Sequence, residues 1–392
     1  MQSTLYDEEH DALRQVVRQF VAHEVEPHLA TWDERRHIDA GLWRSAGAAG
    51  LRGILGPEEH GGGGADDFRF RCVVIEELAR VGATSVNVVW AGDEDLVGPY
   101  LVDLATPEQQ ARWLPRLYAG ELTAAIALTE PEAGSDLRGM RTTARRTDQG
   151  WVLDGAKTFI TNGSHADLII VAARTPADDS AVDRDRRRDP VTLFVVESGA
   201  PGLTRGQPFD TVGQRADSPT DLWFDGVVVP HENLLGTQDR GFAHLMERLP
   251  VERMTIAVFA QALAEQALRW TIEFVTERQA FGQRVADFQA TRFAIAEMDT
   301  ELQVSRAFVN ACVRGIVERT LTPDDAARAK WWTTELLQRV VGRCVQLHGG
   351  YGYMRDYPIA RLYADVRVHT IYGGTTEIMK DLVARSLLDG RP

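Results

Sequence analysis

The chain has 392 residues, a formal net charge of −14 and an apolar fraction of 44%. Its length allows two or three domains with large cores, and its composition is that of an ordinary globular protein. The negative charge disfavours nonspecific binding to nucleic acid or anionic membranes, and no apolar run approaches the length of a membrane span.

The three cysteines, Cys72, Cys312 and Cys344, lie far apart and lack the spacing of a metal site. We expect buried thiols in a reducing compartment and no bound metal. The N-terminal residues are polar and lead directly into a helical pattern. We therefore expect no signal or transit peptide, and a cytoplasmic, bacterial protein.

The first part of the chain predicts helices only. Apolar residues repeat at helical spacing between Ala12 and Val21, and residues 42–49 and 68–81 are typical of further helices. The sequence Thr106-Pro107-Glu108-Gln109 is a capping box at the start of another helix. We assign residues 1–122 to an N-terminal helical domain.

The hydrophobic period changes after residue 122. Short β-rich segments separated by turn residues predict a small β domain at residues 123–235. Its expected strands are residues 123–128, 151–154, 168–172, 191–196 and 222–229. The charged run at residues 178–189 is predicted to be a solvated hairpin loop within this domain.

Helical spacing returns at Gly241 and continues to the end. Val251, Met254, Val258 and Ala262 repeat on one face, and Thr322 caps a further long helix. These helices are long enough for a bundle. We assign residues 236–392 to a C-terminal helical domain, so the predicted fold is mainly α with a middle β domain.

Two candidate binding stretches belong to the β domain. ALTEPEAGSD (127–136) ends a strand and offers the hydroxyls of Thr129 and Ser135, together with exposed backbone N–H groups. Such groups suit the edge of a heteroaromatic ring or a thioester carbonyl. GAKTFITNG (155–163) contains Phe159, which could cover a flat ring, and Thr161, which could hydrogen-bond the ring edge. A lone aromatic residue in a strand could equally belong to the core.

Two more candidate stretches lie in the C-terminal domain. In RQAFGQRVADFQ (278–289), Arg278 and Arg284 could neutralise phosphate, or the stretch could be a helix–helix corner with surface arginines. Residues 346–380 hold two glycine clusters that flank a helix-compatible segment. Glycine allows close approach of the backbone to a flat or phosphorylated ligand, although one cluster alone could be a tight turn.

ALTEPEAGSD, GAKTFITNG, RQAFGQ…FQ, QLHGGYGY and IYGGTTEIMK, in this order, resemble the acyl-CoA dehydrogenase family over essentially the whole chain. The long-chain and isovaleryl types are most similar. The resemblance implies a β-barrel-like middle domain, a C-terminal four-helix bundle, FAD, and a homotetramer with FAD sites shared between subunits. It also implies α,β-dehydrogenation of an acyl-CoA to the trans-2-enoyl-CoA in fatty acid β-oxidation, with electrons passed to an electron-transferring flavoprotein.

The resemblance also assigns site residues, motif by motif. The expected cofactor-binding residues are Ile126, Leu128, Thr129, Gly134, Ser135, Phe159, Thr161, Arg278, Phe281, Gln289, Gln346, Gly349, Gly350, Thr375 and Glu377. The expected substrate-binding residues are Ser135, Arg253, Tyr372, Gly373 and Glu377.

The catalytic base is expected at Glu252. Many family members carry the base between the Tyr and Gly of the IYxGT stretch, where this chain has Gly373. A base is still required, because the α-proton of a thioester is weakly acidic. Long-chain and isovaleryl members place a Glu on an early C-terminal-domain helix, directly before an Arg, as in Glu252-Arg253. Glu130 and Glu377 are rival carboxylates, and a simple Glu252–Arg253 pair is the non-catalytic alternative.

The resemblance further implies that the thioester carbonyl bonds to a backbone N–H, for which Glu377 is the expected position. A dry pocket would raise the pKa of Glu252 toward neutrality. The segment from Trp90 to Tyr100 is expected to wall the acyl pocket. Its charged residues either face solvent or mark a polar or branched acyl tail; they are Asp93, Glu94 and Asp95.

Other functions are compatible with the same fold. A flavin monooxygenase or oxidase is one, but such proteins often lack the carboxylate base and the thioester motifs. A dehydrogenase acting on an acyl group held by a carrier protein, in a biosynthetic pathway, is another. DNA-binding relatives also exist, and the net charge of −14 disfavours that function here.

Overall fold

The computed structural model describes residues 5–176, 190–217 and 219–389, so the charged run at 178–189 lies outside the described residues. The N-terminal part is helical, as predicted. Its helices are α1 (Glu8–Phe20), α2 (Leu29–Arg35), α3 (Ala40–Ala48), α4 (Phe68–Arg80), α5 (Thr84–Ala91), α6 (Gly98–Leu104) and α7 (Pro107–Tyr118).

This part contains one local feature that the sequence predicted and one that it did not. The predicted capping box is confirmed, because the Thr106 side chain accepts from the Gln109 N–H and the Gln109 side chain bonds the Thr106 backbone. A π-helical turn at Gly92–Val97, which the sequence did not indicate, joins α5 to α6. Such turns widen a helix locally and are frequent at functional sites.

The middle part is an eight-stranded sheet with strand order β6-β7-β3-β2-β4-β5-β8, and β1 pairs in parallel with β4. The strands are β1 (Ala124–Ala127), β2 (Thr143–Thr147), β3 (Gly150–Ile160), β4 (Leu168–Arg174), β5 (Val191–Glu197), β6 (Leu203–Arg205), β7 (Thr220–Val229) and β8 (Leu234–Leu235). The five predicted strands are present, and β3 is longer than expected. It carries Lys157, Thr158 and Phe159 to the end of β1.

The C-terminal part is built on four long helices, α8 (Gly241–Glu277), α9 (Gln289–Val317), α10 (Pro323–His348) and α12 (Thr376–Asp389), with the shorter α11 (Pro358–Asp365) before α12. Met254 and Val258 of α8 share one buried cluster with Leu337 and Val341 of α10. The prediction of a mainly α fold with a middle β domain is thereby confirmed. All three cysteines are buried and free, as expected.

Residues 278–289 join α8 to α9, as the alternative of a helix–helix corner with surface arginines expected, and the side chain of Arg284 is exposed. After α8 the chain forms a hairpin of β9 (Gln279–Ala280) and β10 (Gln283–Arg284). Its two-residue turn has Phe281 at φ 52° and Gly282 at φ 79°, as tight hairpin turns require. In the described ranges, no helix combines the length and apolarity needed to cross a bilayer.

Candidate active site

The carboxylate of Glu252 lies where α8 faces the end of the π-helical turn and α6. The Tyr100 hydroxyl donates a hydrogen bond to Glu252 Oε1 at 3.1 Å, and Tyr100 itself is 1% exposed. Pro250, two residues earlier, lies inside the helix and has no N–H to donate. The bond from Tyr100 therefore ties the Glu252 carboxylate to the N-terminal domain.

Burial is the main influence on this carboxyl group. It raises the pKa of Glu252 to about 7, and the charge of Asp95 acts in the same direction. The hydrogen bond from Tyr100 and the charges of Arg253 and Arg248 oppose that shift. The group can therefore exchange a proton near neutral pH.

Glu130 and Glu377, the alternative candidates for the catalytic base, are in different environments from Glu252. Glu130 accepts hydrogen bonds from the backbone N–H groups of Arg141 and Thr142 and, at 2.8 Å, from Lys157 Nζ. Burial acts to raise the pKa of Glu130, but Lys157 and these bonds lower it overall. Glu377 is exposed in the first turn of α12, and its bond with its own backbone N–H lowers its pKa.

Gly373 lies over the helical face that carries Glu252. It has φ +64°, and a Cβ added there would be 2.3 Å from Ile256 Cδ1. Ile256 follows Glu252 by four residues, and such pairs share one face of a helix. The loop thus reaches the same side of α8 as Glu252, and a side chain at Gly373 would be strained by the positive φ and would have to displace the tip of the Ile256 side chain.

Two side chains of α10 hold the loop that follows Gly373. Lys330 Nζ donates to the Gly374 carbonyl at 2.6 Å, and the Thr376 hydroxyl donates to Glu335 at 3.0 Å. Lys330 is fully buried, and burial lowers its pKa to about 7. The loop is therefore fixed to the bundle at both ends.

The other predicted substrate-binding residues do not all lie near Glu252. Arg253 is buried beside Glu252, and its charge lowers the pKa of Lys330. Tyr372 packs on His369, with ring centroids 5.3 Å apart. Ser135 is exposed in the loop after β1. The fold thus brings Arg253 and Gly373 to Glu252, while Ser135 belongs to the β domain.

The cofactor candidates of the β domain form one surface. The Thr158 N–H donates to the Thr129 carbonyl at 2.9 Å and joins the two predicted motifs. Phe159 is 69% exposed, and its φ of 57° turns it out of the strand. Space around Gly134 is open. The other predicted members of this surface are half-buried: Ile126, Leu128, Thr129 and Thr161.

The cofactor candidates of the C-terminal domain form a second surface. The Arg278 guanidinium lies 5.3 Å from the centre of the Tyr351 ring, and Phe281 at the hairpin tip is 97% exposed. Gln289, Gln346, Gly349 and Gly350 are exposed as well. The Phe159 ring instead meets Phe209 of the β domain, with ring centroids 5.4 Å apart. An exposed aromatic ring, a cation and open glycine backbone fit a large, flat, phosphorylated group.

Sequence reasoning missed Lys330 and Lys157, and it named Tyr100 only as the end of the segment expected to wall the acyl pocket. Tyr100 and Lys330 contact the centre directly, and Lys157 neutralises Glu130. Lys330 stands among the apolar residues of the buried stripe on α10, and a lysine in such a stripe is unusual enough to have been noticed. For Tyr100, the resemblance indicated a place at the acyl pocket but not the hydrogen bond to Glu252.

The sequence matches three family models described as the N-terminal, middle and C-terminal domains of acyl-CoA dehydrogenase, over residues 7–121, 125–227 and 239–388. It is 41% identical over 386 residues to the mitochondrial long-chain specific acyl-CoA dehydrogenase of Mus musculus, covering 98% of this chain and 87% of that protein. The chain belongs to the acyl-CoA dehydrogenase family.

Solved structures of acyl-CoA dehydrogenases support the same family assignment. The crystal structure of an acyl-CoA dehydrogenase from Geobacillus kaustophilus matches with a TM-score of 0.94 and 40% identity, covering 99% of this chain and 100% of that one. A glutaryl-CoA dehydrogenase from Mycobacterium smegmatis in complex with FADH2 matches with a TM-score of 0.90 and 26% identity, covering 98% and 96%. The protein is an enzyme of this FAD-dependent family.

Proposed function

We propose that this acyl-CoA dehydrogenase oxidises the α,β-bond of an acyl-CoA to the trans-2-enoyl-CoA, with Glu252 as the base that removes the α-proton. The observation that carries the proposal is the half-buried Glu252 carboxyl, hydrogen-bonded to Tyr100 at 3.1 Å beside the Gly373 loop. Burial raises its pKa to about 7, so the carboxylate becomes available just above neutrality and is basic enough to accept the proton.

The protein groups around Glu252 would polarise and orient the substrate. As the α-proton leaves, negative charge develops on the thioester carbonyl oxygen, and a fixed backbone N–H stabilises it. Glu377 is the position expected from the sequence. Gly373 is better placed, because it lies over α8 against Ile256, one turn from Glu252. FAD, when bound, supplies the redox chemistry by accepting the β-hydrogen as hydride.

The two candidate cofactor surfaces support a shared binding site. The residues around Phe159 and the hairpin with Phe281 each expose an aromatic ring, at 69% and 97%, and neither covers the other. We infer that the hairpin of one subunit completes the FAD site of its neighbour in a homotetramer. Electrons would then pass to an electron-transferring flavoprotein, in fatty acid β-oxidation.

The test is the anaerobic visible spectrum of the flavin-loaded enzyme with a panel of acyl-CoAs, from short to long and branched. Bleaching of the flavin bands by acyl-CoA is expected for wild type and for Glu247→Gln, which makes the same change at an exposed position of α8. Glu252→Gln should bind FAD but bleach at least about a hundredfold more slowly.

Other outcomes would change the assignment. If Glu252→Gln turned over substrate at the wild-type rate, Glu252 would be excluded as the base. A flavin reduced only by NAD(P)H and rapidly reoxidised by air would favour a monooxygenase or oxidase. Bleaching by acyl-carrier-protein thioesters but not by acyl-CoAs would instead indicate the biosynthetic, carrier-linked reaction.

A further inference from the structure

A buried ion pair lies behind the loop that follows β1. Lys157 is 0% exposed and Glu130 is 5% exposed. Lys157 Nζ lies 2.8 Å from Glu130 Oε1 and also donates to the Leu128 carbonyl at 3.2 Å. A lysine is almost never fully buried unless it is paired. The chemistry proposed for Glu252 uses neither of these two charges, so the pair requires another explanation.

Stability alone does not account for this pair. Taking two charges out of water is costly, and apolar side chains of similar volume often stabilise a protein equally well or better. The surroundings are apolar, because Leu222, which pairs with Lys157 across β3 and β7, belongs to the core of the β domain. The pair therefore favours a role in fixing the geometry of the polar groups that it binds.

Glu130 ties the two ends of the loop together. Its carboxylate accepts hydrogen bonds from the N–H groups of Arg141 and Thr142, just before β2. Its backbone exchanges two hydrogen bonds with Ala133, at 3.0 and 3.1 Å. The loop between β1 and β2 is therefore closed around the Glu130 side chain, and Lys157 holds that side chain from β3.

Hydrogen bonds from β3 fix the direction of two successive loop carbonyls. Lys157 Nζ donates to the carbonyl of Leu128, and the Thr158 N–H donates to that of Thr129 at 2.9 Å. In a trans peptide, a carbonyl and the N–H that follows it point in opposite directions. Because the Leu128 carbonyl points inward to the buried ammonium, the Thr129 N–H points away from the ammonium. Among the described residues, this N–H has no hydrogen-bond partner.

The unpaired N–H belongs to the candidate cofactor surface of the β domain. Thr129 is half-buried on this surface, and Phe159 is 69% exposed on it. Phe159 lies two residues after Lys157 and is turned outward at a register shift between Lys157 and Ile160. Strand β3 thus carries a buried anchor behind the loop and an exposed aromatic ring on the surface.

We propose that Lys157 is a positioning residue for the flavin: through the Leu128 carbonyl and Glu130, it directs the Thr129 N–H to a carbonyl oxygen of the flavin ring. A fixed donor there stabilises the reduced flavin more than the oxidised flavin, because reduction adds electron density to the ring. The inference rests on the proposed flavin surface around Phe159, and it does not depend on the identity of the base.

The main test removes both charges together. Lys157→Met combined with Glu130→Gln leaves no unpaired buried ion and keeps an amide oxygen for the two N–H groups that Glu130 binds. The double variant should bind oxidised FAD about tenfold more weakly than wild type. Reduced FAD should lose about another tenfold, which lowers the two-electron reduction potential by about 30 mV. FAD titration and spectroelectrochemistry measure the two effects.

Arg112→Met combined with Glu197→Gln is the matched control. It removes an ion pair between α7 and β5, whose side chains are 48% and 39% exposed, and it should leave FAD affinity and reduction potential unchanged. The potential separates positioning from general stability, since a purely structural role would lower the melting temperature without moving it. If the Lys157→Met/Glu130→Gln enzyme kept the wild-type potential, the inference would be overturned.

Amide hydrogen exchange of the wild type gives a second measurement if the double variant does not fold. The Thr129 N–H should exchange at least about tenfold more slowly with FAD than without it, and equal rates would overturn the inference.

Phe159→Asn tests the flavin surface itself and should weaken FAD binding. If this variant bound FAD as wild type does, the proposed surface would be wrong, and the inference with it. Weaker binding by Phe159→Asn, together with wild-type affinity and potential in the Lys157→Met/Glu130→Gln enzyme, would overturn only the role of Lys157.

Discussion

Gly373 faces Ile256 across the space between the YGGTT loop and α8, and a Cβ on Gly373 would approach Ile256 Cδ1 to 2.3 Å. We therefore expect Gly373→Glu to fail to restore turnover to Glu252→Gln, leaving it below about a hundredth of wild type. The φ of +64° adds strain for any side chain. Adding Ile256→Ala removes the clash, and stopped-flow flavin reduction should then recover in part. Full rescue without that third substitution would contradict the geometry.

Tyr100→Phe should shift the pH dependence of turnover. The Tyr100 hydroxyl donates to the Glu252 carboxylate and lowers its pKa, against the larger effect of burial. Without this bond the carboxylate is harder to form, and the rising limb of kcat/KM should move up by about one pH unit. If the rising limb of the kcat/KM profile were at the same pH in Tyr100→Phe and wild type, Tyr100 would only pack against the site.

Glu252→Gln should change how stability depends on pH. The pKa of Glu252 is about 7 in the folded protein against an ordinary value of 4.5. Between these values the native state binds more protons than the unfolded state, so this residue's contribution falls as pH rises. Glutamine does not titrate, and the variant should melt about 2 °C or more above wild type at pH 8. Glu247→Gln is the control, and it should follow the wild-type curve.

Lys330→Met should weaken FAD binding about tenfold, because it removes the bond that fixes the Gly374 carbonyl. Lys330→Gln keeps a donor and should recover part of the affinity. Titration of the apoenzyme with FAD, followed by fluorescence, measures both variants. A lower melting temperature with unchanged FAD affinity would instead assign Lys330 a purely structural role.

Phe281→Ser should lower the flavin content of the purified enzyme. The Phe281 ring is 97% exposed and meets the edge of the Phe288 ring at a centroid distance of 6.2 Å, so the fold of one subunit should not depend on it. Flavin-to-protein ratio and light scattering measure cofactor content and assembly. Val228→Ser, at an exposed position of the sheet, is the control. Full flavin content in Phe281→Ser would argue against the shared site.

Much of the fold and part of the site were predictable from short stretches of sequence. The capping box at Thr106 and the strand around Ile170 depend on neighbouring residues, and the sequence alone indicates them. The strand β2 was missed, because its Thr-Ala-Arg-Arg-Thr sequence is polar and carries almost no hydrophobic pattern. The hairpin at Phe281 was missed because its turn depends on a non-glycine residue at positive φ.

The sequence by itself determined the family, the order of helical and β parts, and the candidate base Glu252, because motifs and hydrophobic periods are local properties. The tertiary structure alone decided the environment of that base. Tyr100 reaches Glu252 from 152 residues away, and Lys330 holds Gly374 from 44 residues away. Asp93 and Asp95 are buried because Arg52 and Arg71 pair with them. Burial and pairing of charges depend on contacts between distant parts of the chain, which local sequence does not encode.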